Sequence, residues 1–291
     1  MNEEIIKEYE RYLYYKGKSI NTVDTYIRSI KGFMCFIDKD LLSVKQLDID
    51  EYKSYLRRKK CINGGKLSPK TINIKLLSLS SFYEFVEQKK KIFLPISIEL
   101  IKIQKVYYLE TAIINVEDFY NLVDSAQKNE DLRAISIFYT LFLTGMRVSE
   151  ILQLTVDDIN RKEISIVGKG GKVRNVYMAD ELSKILTEYV DKQRINKSDM
   201  LFTGERGPIT RQTVNRIIKK YARIAGVALD KSHAHAFRHL YAKEAVNSGR
   251  YISDIADELG HSSLDTTRIY TRKTKEEKYR ELNKYLNSKV K

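Results

Sequence analysis

The sequence predicts a mainly α fold in two domains, with a small β-ribbon in the second. Three observations lead there. The chain has 291 residues, more than a single hydrophobic core usually serves. Apolar residues recur at helical spacing through most of its length, and no strand alternation interrupts the first ninety positions. Alternation occurs where ISIV (164–167) and VRNVYM (173–178) flank the glycine-rich GKGGK, a pattern of strand, tight turn and return strand.

Residues 1–90 read as an all-helical domain of four helices. The first is IIKEYERYLYY, and the second, NTVDTYIRSIKGFMCFI, follows Ser19 as its N-cap. DIDEYKSYLRRKK is the third. The fourth, SPKTINIKLLSLSSFYEFVEQ, opens with Ser68 at the N-cap and Pro69 at the first helical position, where a missing N–H costs nothing. Residues 91–111 lose the period around Pro95 and read as an extended interdomain linker. The second domain, 112–291, begins with VEDFYNLVDSA, where Asn115 and Asp118 stand at capping-box spacing. DLRAISIFYTLFL is apolar enough for a buried helix and breaks at Thr144-Gly145. The ribbon comes next, and helical periodicity returns after Asp180.

Lys and Arg number 52 against 38 acidic residues, a formal charge of +14. Such a surplus favours a polyanionic partner, either nucleic acid or an anionic membrane surface. Residues 1–90 hold 18 basic and 12 acidic side chains, which leaves 34 and 26 for the remainder, so both domains are basic. The acidic, amphipathic N-terminus MNEEIIKEYE lacks the features of a signal peptide, and the apolar run at 134–146 is shorter than the roughly 20 residues a membrane span needs. The two cysteines, Cys35 and Cys61, have no metal-ligand spacing, which fits a reducing, cytoplasmic setting.

Two basic segments have the composition of DNA-contacting surfaces. Lys66, Lys70 and Asn73 lie at the start of the fourth helix, close to the run Arg57 to Lys60; a solvated face is the plainer alternative. In TRQTVNRIIKKYARIAG, Thr210 caps a helix whose first turns carry Arg211, Gln212 and Asn215, residue types that meet base edges or phosphates.

The chemistry-bearing residues lie in the second domain. Arg147, in TLFLTGMRVSEIL, stands at a helix break directly after an apolar helix, with Glu150 as the nearby acid. Arg238 lies in HAFRHLYAKEAV among residues that mark a buried helix, where a guanidinium needs an anion or an ion-pair partner such as Glu244. Two such arginines suit a phosphate, since each planar fork can bind two oxygens. Lys172 sits at the ribbon tip; a phosphate-binding loop is excluded there, because Val173 follows the lysine where Ser or Thr is needed. All four histidines, His233, His235, His239 and His261, fall within 29 residues. A metal site on His233, His235 and His239 is the competing explanation, disfavoured by the cation Arg238 between them. Tyr270 follows His261 by nine positions.

In this order TGMRVSE, GKGGKVR, HAFRH and LGHSSLDTTRIYT resemble the catalytic box of the tyrosine recombinase, or phage integrase, family in its compact Xer-like form. The match covers residues 112–272, and the helical first domain resembles the family's core-binding domain. The resemblance implies a two-domain DNA clamp and a site-specific recombinase. Tyr270 would form a 3′-phosphotyrosyl link and release a 5′-hydroxyl. Arg147, Arg238 and His261 would contact the phosphate, His235 would accept a proton, and Lys172 would protonate the departing oxygen. It implies no metal or other cofactor. It also implies double-stranded DNA as partner, four protomers on two duplexes, and a C-terminal segment, KEEKYRELNKYLNSKV, docked on a neighbouring protomer. Leu240-Tyr241-Ala242-Lys243-Glu244 stands where Xer-type sequences often continue with Phe-Ala-Thr, which makes a simple-site mobile-element integrase at least as well supported as chromosome-dimer resolution. The alternatives are a type IB topoisomerase and a non-catalytic DNA-binding relative.

Overall fold

The computed structural model describes residues 2–61, 64–103, 114–168, 171, 173–195, 198–260, 267, 279, 282–283 and 285–287. The chain divides into two units, Met1–Val106 and Tyr107–Lys291.

The first unit is helical: α1 (Asn2–Tyr15), α2 (Ile20–Ile37), α3 (Gln46–Arg58) and α4 (Pro69–Phe85), the last continuing as a π-turn over Val86–Lys90. The expected caps form. Ser19 and Ser68 accept from the backbone N–H of Thr22 and Thr71 respectively, each satisfying a donor that the first helical turn leaves orphaned. Ile6, Tyr9, Val23, Ile30, Phe33, Tyr52, Leu76, Leu79 and Phe82 fill the core. Residues 92–103 are extended, as the lost period predicts, but they belong to this core: Ile92, Leu94, Ile96, Ile98 and Ile101 pack against it. Alternation of isoleucines gives this stretch one apolar face, and burying that face outweighs the freedom of a loose tether.

Asn73, expected as a DNA contact, is engaged within the protein. It is buried, its amide nitrogen donates to the Ile101 carbonyl at 2.8 Å, and its amide oxygen accepts from Ile101 N–H at 2.8 Å. Both ends of the side chain hold the extended segment to α4. Lys66 and Lys70 are exposed, as a surface contact requires.

The second unit is built around α6 (Leu132–Thr144), which packs against α5 (Val116–Lys128), α8 (Asp180–Lys192), α9 (Arg211–Ile224) and α10 (Ala234–Asn247). Apolar residues surround α6, which is why it takes the centre. Asn115 and Asp118 close the expected capping box on α5, each side chain bonding the other's backbone N–H. A short α7 (Val148–Ile151) follows the break after α6.

The ribbon forms as predicted, β1 (Glu163–Val167) antiparallel to β2 (Val173–Tyr177), in a register that pairs Val167 with Val173. Ile164, Ile166 and Val176 face the core. One departure from the helical expectation lies beyond Asp180. Thr203–Gly204 (β3) and Gly207–Pro208 (β4) make a two-residue hairpin, in which Gly207 turns with a φ of 110° that a side chain would oppose. The chain then enters α9, capped by Thr210, then α10 and α11 (Ile252–Leu259). None of the described helices is long and apolar enough to cross a membrane.

Candidate DNA-cleavage site

The last turn of α11 organises the site. A helix leaves its final carbonyls without intrahelical partners and carries a partial negative charge there. Three arginines from three elements meet three consecutive carbonyls. Arg174 of β2 donates to Glu258 O, Arg238 of α10 donates to Leu259 O, and Arg147, just before α7, donates to Gly260 O at 3.5 Å. Gly260 ends α11 in the left-handed region, with φ of 60°. His261 is the next residue in the chain.

Arg238 is 1% exposed and also donates to the Gly145 carbonyl at 2.7 Å. One guanidinium thus ties the end of α6 to the end of α11. Gly145 has φ of 58°, and an added Cβ would lie 2.5 Å from Tyr241 Cδ1. The TGMR turn therefore needs its glycine for two reasons, backbone conformation and close packing.

Arg147 keeps 28% of its side chain exposed while its Nη1 pairs with Glu150 Oε1 at 2.7 Å. Glu150 itself is 1% exposed and holds more than the one arginine expected of it. Its Oε2 accepts from Arg147 backbone N–H at 2.7 Å and from Arg174 Nη2 at 2.9 Å. Burial alone would raise the Glu150 pKa, but the backbone N–H of Arg147, the Arg174 charge and both guanidinium hydrogen bonds hold it below the ordinary glutamate value. Arg147, Arg174 and Glu150 thus form a built-in ion network with one net positive charge left for a substrate.

His235 lies at the start of α10 with its side chain accessible to solvent. Protein packed around the ring, followed by the positive fields of Arg238, His233, Arg147 and Arg211, pushes its pKa below the usual imidazole value. It is neutral at pH 7 and can accept a proton. The His239 ring packs edge-on at 4.4 Å from the His235 ring. His233 is the N-cap of α10, its Nδ1 accepting from Ala236 N–H at 3.2 Å, which commits a nitrogen that the metal alternative would need.

Arg211 and Gln212 are exposed at the start of α9, and Arg211 is near enough to bear on His235. Asn215, expected beside them as a DNA contact, is engaged within the protein. Its Oδ1 accepts from Ala234 N–H at 3.2 Å, and its amide nitrogen donates to Arg211 O. This residue fixes α9 to the start of α10. Lys172, His261 and Tyr270 lie outside the described residues; Thr267, between the last two, is buried.

Three participants are absent from the sequence expectation. Glu150 as a double acceptor is one. Arg174 is another, although its signal is present: it shares a face with buried Val176, two residues on, so a cation occupies the core-facing register of the ribbon. Tyr241 is the third. Its hydroxyl donates to Glu258 Oε2 at 2.5 Å, and Arg250 pairs with the same carboxylate, bracing α10 against α11. The residue that departs from the Xer-like Phe-Ala-Thr is thus a structural brace.

Comparison with known proteins agrees with this geometry. The phage integrase family matches residues 113–277, and the phage integrase N-terminal SAM-like domain matches residues 5–91. The chain is 30% identical to the TnP I resolvase of Bacillus thuringiensis over 92% of this chain and 95% of that protein. It is also 30% identical to a tyrosine recombinase of Pseudothermotoga lettingae over 98% and 99%. Among solved structures, the fold is similar to a lambda integrase dimer bound to a core site, with a TM-score of 0.72 at 16% identity, covering 93% of this chain and 95% of that one. It is also similar to the XerH recombinase in a post-cleavage complex, with a TM-score of 0.70 at 22% identity over 90% and 79%. Two arginines and an exposed histidine gathered where the chain runs on to His261 and Tyr270, in a chain matched over nearly its whole length, place it in the phage integrase family: it is a tyrosine recombinase, a catalyst of site-specific DNA strand exchange.

Proposed function

We propose that Tyr270 attacks the scissile phosphodiester and that Arg147, Lys172, His235, Arg238 and His261 assist it. The carrying observation is the convergence of Arg147 and Arg238 on the last turn of α11, beside a neutral His235 and one residue before His261. The Tyr270 hydroxyl gives its proton to His235 as its oxygen bonds to phosphorus. The bond from phosphorus to the 5′-oxygen breaks, and that oxygen takes a proton from Lys172. Charge growing on the non-bridging oxygens is met by the two guanidinium forks and by His261, the dominant electrostatic contribution in such a transfer. The phosphotyrosine retains the bond energy, so a 5′-hydroxyl of another strand reverses the step and completes exchange.

The two basic units grip duplex DNA, the first through Lys66 and Lys70, the second through Arg211 and Gln212. Four protomers assemble on two duplexes. Tyr279, Leu282, Tyr285 and Leu286 support that assembly, since these large apolar residues near the C-terminus are 45–66% exposed in the single chain. A mobile-element role is at least as well supported as dimer resolution: the stretch from Leu240 to Glu244 departs from the Xer-like sequence, while proteins named XerC and XerD stand beside the TnP I resolvase among the similar proteins.

The test is covalent trapping. A duplex site selected by binding from a random-sequence library is nicked near the scissile phosphate, so that cleavage releases a short fragment and cannot reverse. The wild-type chain forms an adduct that survives denaturation. Tyr270→Phe binds the same duplex with near wild-type affinity and forms none; an adduct in that variant removes Tyr270 from the reaction.

A further inference from the structure

Arg174 joins separate elements of the second unit. Its side chain is 9% exposed, and its two terminal nitrogens are taken by Glu150 Oε2 at 2.9 Å and by Glu258 O. Among the described residues its Nε is buried with no partner. Burying an unsatisfied N–H is costly, so a guanidinium kept here must contribute through its terminal contacts. Those contacts join three elements: β2 on which it stands, α7 through Glu150, and the last turn of α11. Gly260 is part of the fit, because a Cβ there would approach Arg174 Cδ to 2.9 Å.

Among the described residues the ribbon has few other polar ties to this cluster. Ser165 and Asn175 bond each other across the strands, while Val167 and Val173 near the tip are exposed. A two-stranded ribbon alone is marginally stable in water, so its tip needs an external brace to hold a reactive group. Arg174 is two residues after Lys172, a reach of about 7 Å along an extended chain. Arg174 is bolted to the platform that also holds Arg147.

We propose that Arg174 is a positioning residue, which ties the β-ribbon to Glu150 and to the end of α11 and thereby holds Lys172 in register with the leaving 5′-oxygen. This rests on the reading of Lys172 as general acid. In this role Arg174 acts through Lys172 and not on the reacting atoms.

The test uses the full chain, the selected nicked duplex, and a version with sulfur in place of the 5′-bridging oxygen at the scissile phosphate. Thiols ionise near pH 8.5, so sulfur departs as thiolate and needs no proton. Single-turnover cleavage is measured on both. On oxygen, Lys172→Ala loses on the order of 10²–10⁴-fold, the usual range for a general acid. Arg174→Met loses about 10²-fold, the scale of a misplacement of roughly 1 Å. Both recover on sulfur. Arg174→Lys, which keeps a cation opposite Glu150 but is too short to span to Glu258 O, behaves as Arg174→Met does and covers the case in which the methionine variant misfolds. If Lys172→Ala is rescued while the Arg174 variants stay equally impaired on both substrates, the positioning role is overturned and the Lys172 reading stands. If Lys172→Ala is not rescued, both fall.

Discussion

Glu150 holds two arginines with one carboxylate, and the balance of charge in the site depends on it. Removing one member of a buried ion network leaves the others desolvated and uncompensated, at a cost of about 3–5 kcal/mol. Glu150→Ala should lower the unfolding temperature by roughly 6–20 °C at that cost, measured by calorimetry at pH 7. The pH dependence follows from the sign of the shift. Because the folded-state pKa of Glu150 lies below its unfolded value of about 4.3, its contribution is fully present above that value and lost as pH falls through the folded pKa. The wild-type and alanine chains should therefore converge in stability as the solution is made acidic. A constant gap down to the lowest pH at which both fold would assign the loss to packing alone. Asn73 and Asn215 make the complementary point: residue types that can read DNA also saturate backbone groups, and here they do the latter.

Elements rather than single residues set the spacing of the site. α6 ends at Gly145, whose carbonyl receives Arg238, and the chain must turn within three residues to start α7 with Arg147 in place. Thr144 helps by accepting from Met146 N–H at 3.2 Å while donating to Thr140 O at 2.5 Å. Gly145→Ala would place a methyl 2.5 Å from Tyr241 Cδ1 on a left-handed backbone. The backbone strain costs about 1–2 kcal/mol and the overpacking about 1–3 kcal/mol. The expected result is a thermal midpoint lower than that of wild type and loss of cleavage beyond what the stability change explains, since Arg147 and Arg238 both move. An alanine variant with wild-type cleavage and an unchanged midpoint would show that the turn tolerates a side chain and that α6 does not set the arginine positions.

On the scale of the molecule, a formal charge of +14 spread over both units governs how tightly DNA is held. Each phosphate neutralised releases counterions, so affinity falls with salt at about 0.9 log units per contact per decade. For six to ten contacts this means a loss of about 10³–10⁵-fold between 50 and 200 mM salt. Fluorescence-anisotropy titrations of the selected duplex should give that slope. Replacing Lys66 and Lys70 together by alanine should reduce the slope by about 2 while leaving base preference unchanged. An unchanged slope would move both lysines off the DNA.

Much of this protein is legible locally. The caps at Ser19, Ser68, Asn115 and Thr210, the helix-ending glycines 145 and 260, and the Gly-rich ribbon turn each depend on a few adjacent residues, so the sequence by itself determined them. The order of TGMR, GKGGK, HAFRH and the pair His261 and Tyr270 pointed to the family. What only the tertiary structure decided are partners far apart in the chain: Arg147 with Gly260 across 113 positions, Arg238 with Gly145 across 93, Asn73 with Ile101 across 28. Periodicity and caps report which face a residue takes and where an element ends, whereas a hydrogen-bond partner is set by how separate elements pack. Arg174 illustrates the difference: its inward register is written in the strand, but the carboxylate and helix end that make it a brace arrive from 24 and 84 residues away.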